Sequence, residues 1–470
     1  FDTFVNKELI HYSKYDNERS LPNIIDGLKT SQRKILYAAF KRNLVSEIKV
    51  AQFGGYISEH SGYHHGEASL MKAIVGMAQE FTGANNISLF MPNGQFGTRL
   101  QGGKDSASER YIFTQLSNIT KGIFPASDLD ILSYIDDDGS LVEPEFYVPI
   151  IPMILVNGAK GIGTGFSTDI PNYNPIELID YLMNKITTPS FKKPLTPYFE
   201  GFKGVIEEQS SDKFITRGIW KLIKKDCIHV TELPIGMWTE TYKQFLEKII
   251  IQGQTLGEKK GSILRDYKDM STDAMVDFTL MFSPGKLDIS TPEAIAKFEK
   301  DYHLTSSINT SNMYLFNEAQ KILKYKNVEE IIDNFYGVRR NYYHIRKQNL
   351  LEKLNQLVNL LSNKYRFIKE QIDDKLDLRG KKMDDIVKEL TTRKYDVIDG
   401  NYKYLISMPI SSVIKENLER LKKDREEKLN EMKELEKTEP EALWYKELEI
   451  LKIEYERYIK QRINRVYGDI

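Results

Sequence analysis

Over its first 150 positions the chain sets apolar residues in short helical blocks separated by glycine. Ile35, Leu36, Ala39 and Phe40 fall on one face of a helix that Thr30 or Ser31 can cap. A second helix is predicted to begin at Glu67 and to carry Leu70, Ile74, Met77 and Phe81. Two short helices with basic residues on the first are compatible with a helix-turn-helix core. Asn93 to Lys104 then holds Gly94, Gly97, Gly102 and Gly103, too many for a regular element, so a long loop or wing is predicted, with Tyr111 just after it.

From about residue 151 to 325 the pattern turns to short strand-like runs. Ile150 to Val156, bounded by Pro149 and Asn157-Gly158, reads as a buried strand despite Pro152. Ile228 to Leu233 and Val276 to Phe282 read as strands too, with a helical stretch from Thr241 to Ile250, so this segment is a mixed α/β domain. Near Lys326 proline nearly vanishes and charge becomes dense. Ile331, Phe335, Val338, Tyr342 and Ile345 step by four and three, and after a phase slip Leu351, Leu354, Val358, Leu361, Tyr365, Ile368 and Ile372 do so again, which predicts a coiled-coil helix. A second run holds Ile414, Leu418, Leu421, Met432 and Leu435, is interrupted at Pro440, and continues through Leu443, Leu448, Leu451 and Tyr455. Two long helices around a compact region predict an antiparallel arm that goes out and returns, and dimerisation or spacing is its simplest use.

Length agrees with this division, since 470 residues correspond to about three domains. The chain opens on Phe1 and has no apolar run long enough for a signal peptide or a membrane span, so it reads as an internal fragment of a soluble protein. Its one cysteine, Cys227, excludes a disulfide framework and a thiolate metal cluster and suits a reducing intracellular compartment. Lys+Arg number 66 against 67 Asp+Glu, so global charge announces no polyanion partner. Locally, Lys29, Arg33, Lys34, Lys41, Arg42 and Lys49 crowd together, as a DNA-facing patch or as a solvated helix face.

Among 27 tyrosines, Tyr111 stands out because Arg110 precedes it. A phenol is a poor nucleophile at neutral pH; a fixed cation helps it ionise and stabilises charge on a pentacovalent phosphorus. A guanidinium suits that task because its planar fork grips two phosphoryl oxygens. In an extended strand the two side chains would point apart, so they can share a phosphate only where the backbone is irregular.

His60 and His64 are four apart with Glu59 alongside, but Ser61, Gly62 and Tyr63 lie where a zinc-protease helix needs its glutamate. A helix start near Gly66 to Ser69, with free N–H groups, the Ser69 hydroxyl and histidine donors, is a better site for an anion such as phosphate; simple capping and packing by the histidines is the alternative. Gly158-Ala159-Lys160-Gly161-Ile162-Gly163-Thr164-Gly165 lacks the dinucleotide spacing, and Pro171 and Pro175 follow where a helix should begin. Ile162, apolar among glycines, reads either as tucked into a local core or as a wedge of the kind that minor-groove binders push between base steps.

Taken in order, several runs resemble the breakage-reunion region of eukaryotic-type DNA topoisomerase II, a type IIA enzyme. They are Arg19-Ser20-Leu21-Pro22-Asn23, Asp26-Gly27-Leu28-Lys29, Gln32-Arg33-Lys34 and Tyr63-His64-His65-Gly66-Glu67. Pro92-Asn93-Gly94, Gly97-Thr98-Arg99, Gly102-Gly103-Lys104-Asp105, Arg110-Tyr111-Ile112, Glu143-Pro144-Glu145 and Gly161-Ile162-Gly163-Thr164-Gly165 follow in the family's order. The likeness is close over roughly residues 1 to 175 and looser beyond.

That resemblance implies a multi-domain α+β fold: a winged-helix DNA-binding domain over residues 1–150, a tower domain over 151–325, and a coiled coil with a dimer gate over 326–470. It implies that Tyr111 attacks a backbone phosphate and becomes joined to a DNA 5′ end, that Arg110 stabilises the transition state, and that the transient double-strand break lets a second duplex pass. It places Arg19 near the reacting phosphate and Lys29, Tyr63, His64, His65 and Ser69 on the DNA, and it turns the reading of Ile162 to the bending wedge. The implied partners are double-stranded DNA and a second copy, meeting through the coiled-coil gate and the winged-helix domain, with no membrane. Mg2+ and ATP belong to the full-length enzyme, on domains outside this chain, so no metal ligand is expected here and the isolated fragment is expected to be inactive. The implied location is intracellular: the nucleus for a cellular protein, the host cell for one from a large DNA virus. Glu109 departs from the family, which usually has a small residue there. Two other functions remain open on the sequence: a non-catalytic architectural DNA binder and a coiled-coil scaffold, the second leaving Arg110-Tyr111 and Ile162 unexplained.

Overall fold

The computed structural model of the chain describes residues 4–63, 66–255, 263–409 and 413–468. They form two compact units, Phe1–Arg339 with Tyr445–Ile470, and Arg340–Trp444. No helix among the described residues is long and apolar enough to cross a membrane.

The first unit opens with α1 (Ile10–Ser20), α2 (Thr30–Lys41), α3 (Val50–Ser61) and α4 (Glu67–Ala78). The apolar stripes predicted for α2 and α4 face inward: Ile35, Leu36 and Ala39 meet Val50, Phe53 and Ile57 of α3 and Leu70 and Ile74 of α4 in one buried core. Neither Thr30 nor Ser31 is the cap of α2. The first residue outside the helix is Lys29, whose main-chain N–H donates to Gln32 Oε1 at 2.9 Å, while the Thr30 hydroxyl turns away to the Glu18 carbonyl. Helix α4 stops at Ala78, so Phe81 falls beyond it and stands edge-on to Trp238, ring centroids 5.7 Å apart.

A short ribbon, β1 (Ile48–Lys49) with β2 (Phe113–Thr114), ties the helices to the chain that follows the glycine loop. The hairpins β3 (Tyr134–Asp137) with β4 (Ser140–Pro144) and β5 (Ala159–Ile162) with β6 (Ser167–Ile170) come next. Between these hairpins the expected strand at Ile150 to Val156 is not one. Met153–Val156 is a single helical turn, begun at Pro152, whose carbonyl accepts from the N–H groups of Leu155 and Val156. The run is buried on every side, so it has no alternation to betray a strand, and proline without an N–H suits the start of a helical turn better than a sheet.

After α5 (Pro175–Thr187), capped by Asn174, the chain builds antiparallel sheets. One holds β7 (Val205–Ser210), β8 (Lys213–Arg217) and β13 (Thr305–Asn309); the other holds β9 (Ile219–Lys224), β10 (Cys227–Glu232), β11 (Leu264–Asp269) and β12 (Phe278–Phe282). β10 and β12 are the strands expected from the sequence, and the helix expected between them is α6 (Thr239–Thr255). Alternate residues of β10 and β12, such as Ile228, Val230, Phe278 and Leu280, pack with Tyr242 and Leu246 of α6 and Phe298 of α7 (Pro292–Asp301), the one-sided burial expected of such a sheet. The small ribbon β14 (Tyr314–Phe316) with β15 (Ile322–Lys324) precedes the long helices.

α8 (Val328–Ile372) is one unbroken helix of 45 residues, so the phase slip in its pattern does not end the helix; Ile345 of the expected first stripe is exposed, while Tyr343 and Arg346 are buried. In the second unit it is followed by α9 (Met383–Thr392) and α10 (Lys415–Lys437), and then α11 (Pro440–Tyr467) begins with proline at its first position. Lys347 Nζ donates to the Glu436 carbonyl at 2.9 Å, and the Arg425 guanidinium lies 5.4 Å from the Tyr365 ring. Numbers fall on one partner as they rise on the other, so the long helices run antiparallel. Phe367, Ile368, Leu376, Leu390, Tyr395 and Leu421 close the unit in a small core of its own.

Within the first unit the end of α11 packs on the segment after α4. The Tyr458 hydroxyl accepts from the Ser88 N–H at 2.9 Å, and Arg462 donates to the carbonyls of Glu80, Asn85 and Asn86.

Candidate nucleic-acid interface

The glycine loop is held, not loose. Asp105 receives both the N–H and the hydroxyl of Thr98, and Gln79 donates to the carbonyls of Phe96 and Gly103. Beyond it, residues 109–111 form a turn in which the Tyr111 N–H donates to the Ser108 carbonyl at 2.9 Å. The carbonyls of Glu109 and Ile112 accept from Ala51 and Val50 at the start of α3, which fixes the turn on a helix. Ile112 is buried, while Tyr111 is 69% exposed. The irregular backbone resolves the difficulty of a strand: the Arg110 guanidinium carbon lies 5.8 Å from the centre of the Tyr111 ring, so both side chains share one side of the turn.

The second feature is the β5–β6 hairpin. Ile162 pairs across it with Ser167, and the Gly163 N–H donates to the Phe166 carbonyl at 2.9 Å. Ile162 is 85% exposed at this tip, which overturns the reading of it as part of a local core.

Arg19, Tyr63 and Ser69 come together. With Lys34 and the first residues of α2 they line one cleft of about 630 Å³. Burial pushes the Tyr63 hydroxyl above its ordinary pKa, opposed by the nearby Arg19. Ser69 stands exposed in the first turn of α4. His64 and His65 lie outside the described residues. His60 is engaged locally: Nδ1 is 3.0 Å from the Tyr56 carbonyl oxygen, and its ring stacks on Tyr56 with centroids 4.0 Å apart. Among the described residues no three His, Cys, Asp or Glu side chains converge to hold a metal ion.

The basic run near α2 is not one surface. Arg33 is buried, its Nε 2.7 Å from Asp26 Oδ2 and its Nη2 donating to the Leu28 carbonyl, and Asp26 also accepts from the Tyr147 N–H. Lys34 Nζ pairs with Glu143 at 2.8 Å. Lys29 is half-buried, its ammonium pKa is lowered by that burial, and it donates to the Lys160 carbonyl at 2.7 Å. Lys41, Arg42 and Lys49 remain outward, Arg42 lying over the Tyr56 ring and Lys49 over the Phe113 ring.

Sequence reasoning missed the supports of the hairpin. Asp16 and Asn17 of α1 reach Thr164 across nearly a third of the chain, and no local pattern marks such a pairing.

Short helices feeding a glycine-rich loop, an exposed Arg-Tyr turn and an apolar hairpin tip agree with one class of protein. The family model for the A-subunits of DNA gyrase/topoisomerase IV matches residues 19–449, and the chain belongs to that family. Among curated proteins, DNA topoisomerase 2 of Plasmodium falciparum is 40% identical over 97% of this chain, and the mitochondrial DNA topoisomerase 2 of Dictyostelium discoideum is 39% identical over 98%. The chain spans only 35% and 36% of those two proteins. A crystal structure of the Plasmodium falciparum topoisomerase II DNA-binding, cleavage and re-ligation domain matches with a TM-score of 0.88 at 40% identity, covering 97% of this chain and 64% of that one.

Proposed function

We propose that this chain is the DNA-binding and cleaving core of a type II DNA topoisomerase. Tyr111 attacks a backbone phosphorus, the ester to the 3′ oxygen breaks, and a tyrosyl phosphate forms at the 5′ end. The energy of the phosphodiester stays in the new ester, so religation needs only the 3′ hydroxyl held beside it. Arg110 stabilises charge on the pentacovalent phosphorus. Arg19, Lys29, Tyr63, His64, His65 and Ser69 contact the DNA, and Ile162 enters between base steps to bend it. The observation that carries this reading is the pair of exposed side chains, Arg110 and Tyr111, on one side of a turn fixed to α3.

In this reading residues 1–150 are the winged-helix cleavage domain, 151–325 the tower and 326–470 a coiled coil with a gate, and two copies meet to break both strands. Mg2+ and ATP act on the full-length protein. Among the described residues no three His, Cys, Asp or Glu side chains converge, and the chemistry proposed for this chain is that of its own side chains.

The test is to supply the metal-binding region, incubate with supercoiled DNA and Mg2+, denature, and look for protein on the 5′ ends. Adducts are expected with the unaltered chain and none with Tyr111→Phe; adducts that persist in the variant would sink the assignment.

A further inference from the structure

The hairpin that carries Ile162 is gripped from two sides. On one, Asn312 Nδ2 donates to Ser167 Oγ at 2.9 Å, and the Asn312 carbonyl accepts from the Asp169 N–H at 2.8 Å. On the other, Asn17 Nδ2 donates to the Thr164 carbonyl at 3.1 Å. A Cβ on Gly163 would collide with Asn17, so the glycine is what lets α1 come this close.

At the centre of this second grip is Asp16. Its Oδ2 accepts from the Thr164 hydroxyl at 2.9 Å, and its Oδ1 pairs with Arg19 Nη2 at 3.0 Å. The Asp16 side chain is only 14% exposed, whereas that of Arg19 is 57% exposed. One largely buried carboxylate thus holds the hairpin tip with one oxygen and an outward guanidinium with the other.

We propose that Asp16 is a positioning residue that joins Arg19 to the DNA wedge, so that the kink made by Ile162 and the phosphate met by Arg19 are held in one register. It touches no DNA itself. The inference rests on the wedge reading of Ile162 and deepens it, by naming what aims the wedge and what it is aimed with.

The two oxygens can be tested separately. Thr164→Val keeps the shape and removes only the hairpin bond. Asp16→Asn keeps an acceptor for Thr164 and removes the charge facing Arg19. Asp16→Ala removes both. Bending is read by energy transfer between the ends of a labelled duplex, and cleavage by 5′ adducts with the metal-binding region supplied. Thr164→Val and Asp16→Ala should each lose about half or more of the bending signal at DNA affinity within about threefold, and the double variant should bend no worse than Asp16→Ala, as expected for one shared contact. Asp16→Asn should bend like the unaltered chain and still lose adducts about fivefold; a purely structural role would not split the two readouts. Unchanged bending in Thr164→Val, additive losses in the double variant, or unchanged adducts in Asp16→Asn would overturn the proposal.

Ile162→Ala separates this from the underlying reading. If that variant bends DNA normally, the wedge reading fails. The coupling is then judged by hydrogen exchange of the hairpin amides without DNA, which Asp16→Ala should accelerate about tenfold; unaltered exchange would overturn the coupling as well.

Discussion

The ammonium group of Lys29 donates to the main-chain carbonyl of Lys160 at 2.7 Å, spanning 131 positions of sequence. A cation expected on DNA is therefore already committed in part to the base of the β5–β6 hairpin. Lys29→Met should lower DNA bending, because β5 loses a support. It should also make the slope of log affinity against log salt shallower by about 0.9, the loss of one phosphate contact. Titrations at several salt concentrations check this, and an unchanged slope would confine Lys29 to the hairpin.

Ile162 is so exposed that its removal should cost the fold less than about 0.5 kcal/mol. Ile162→Ala should therefore melt like the unaltered chain and bind DNA nearly as well, yet bend it less. Energy transfer across a short duplex, compared with an equilibrium binding curve, separates the two effects.

Arg110→Lys keeps the charge beside Tyr111 but loses the planar fork. Adduct formation should slow by about a hundredfold, the scale of losing one donor to a developing charge, with DNA affinity little changed. Time courses of 5′ adducts with the metal-binding region supplied would show it, and a rate within a few-fold of the unaltered chain would argue that charge alone suffices.

Gly27 has φ of +67°, and a Cβ there would stand 2.7 Å from the Ile154 Cα and closer still to its nitrogen. Main chain cannot swing aside as a side chain can. Gly27→Ala should destabilise the first unit by about 3 kcal/mol, combining a left-handed backbone with overpacking. Chemical denaturation followed by far-UV circular dichroism measures it.

Arg462 is buried with its guanidinium on the carbonyls of Glu80, Asn85 and Asn86. Arg462→Met should cost about 2–4 kcal/mol, because desolvated carbonyls lose a charged donor. The segment it holds continues into Leu89 to Asn93, whose main chain pairs with Phe113 to Ser117 just past Tyr111. Hydrogen exchange should therefore quicken at Met91 and Phe113 as well as at Ser88; acceleration confined to α11 would show that the helix end is not a support of the turn that carries Tyr111.

Much of the fold was legible because its signals are local. α2, α4, β10, β12, α6 and the long helices follow from the spacing of apolar residues, and the break between α10 and α11 at Pro440 follows from the missing N–H of proline. Ile150 to Val156 misled because a run buried on all sides carries no period to distinguish strand from helix. The site divides in the same way. Arg110 and Tyr111 were singled out as candidates by their chemistry, the loop before them and the family resemblance, but the turn that makes them neighbours depends on hydrogen bonds to α3. The basic run was misread as one surface because charge is visible in a sequence and its burial is not: Arg33 spends its guanidinium on Asp26.

By itself, then, the sequence determined the elements and the chemical candidates, since periodicity and side-chain chemistry belong to neighbours in the chain. Only the tertiary structure decided which polar groups are occupied and which remain available. Asp16 with Thr164, Lys29 with Lys160 and Arg462 with Asn86 join positions more than a hundred apart. A buried polar group must find a partner wherever the packed chain brings one, and that choice has no local signature.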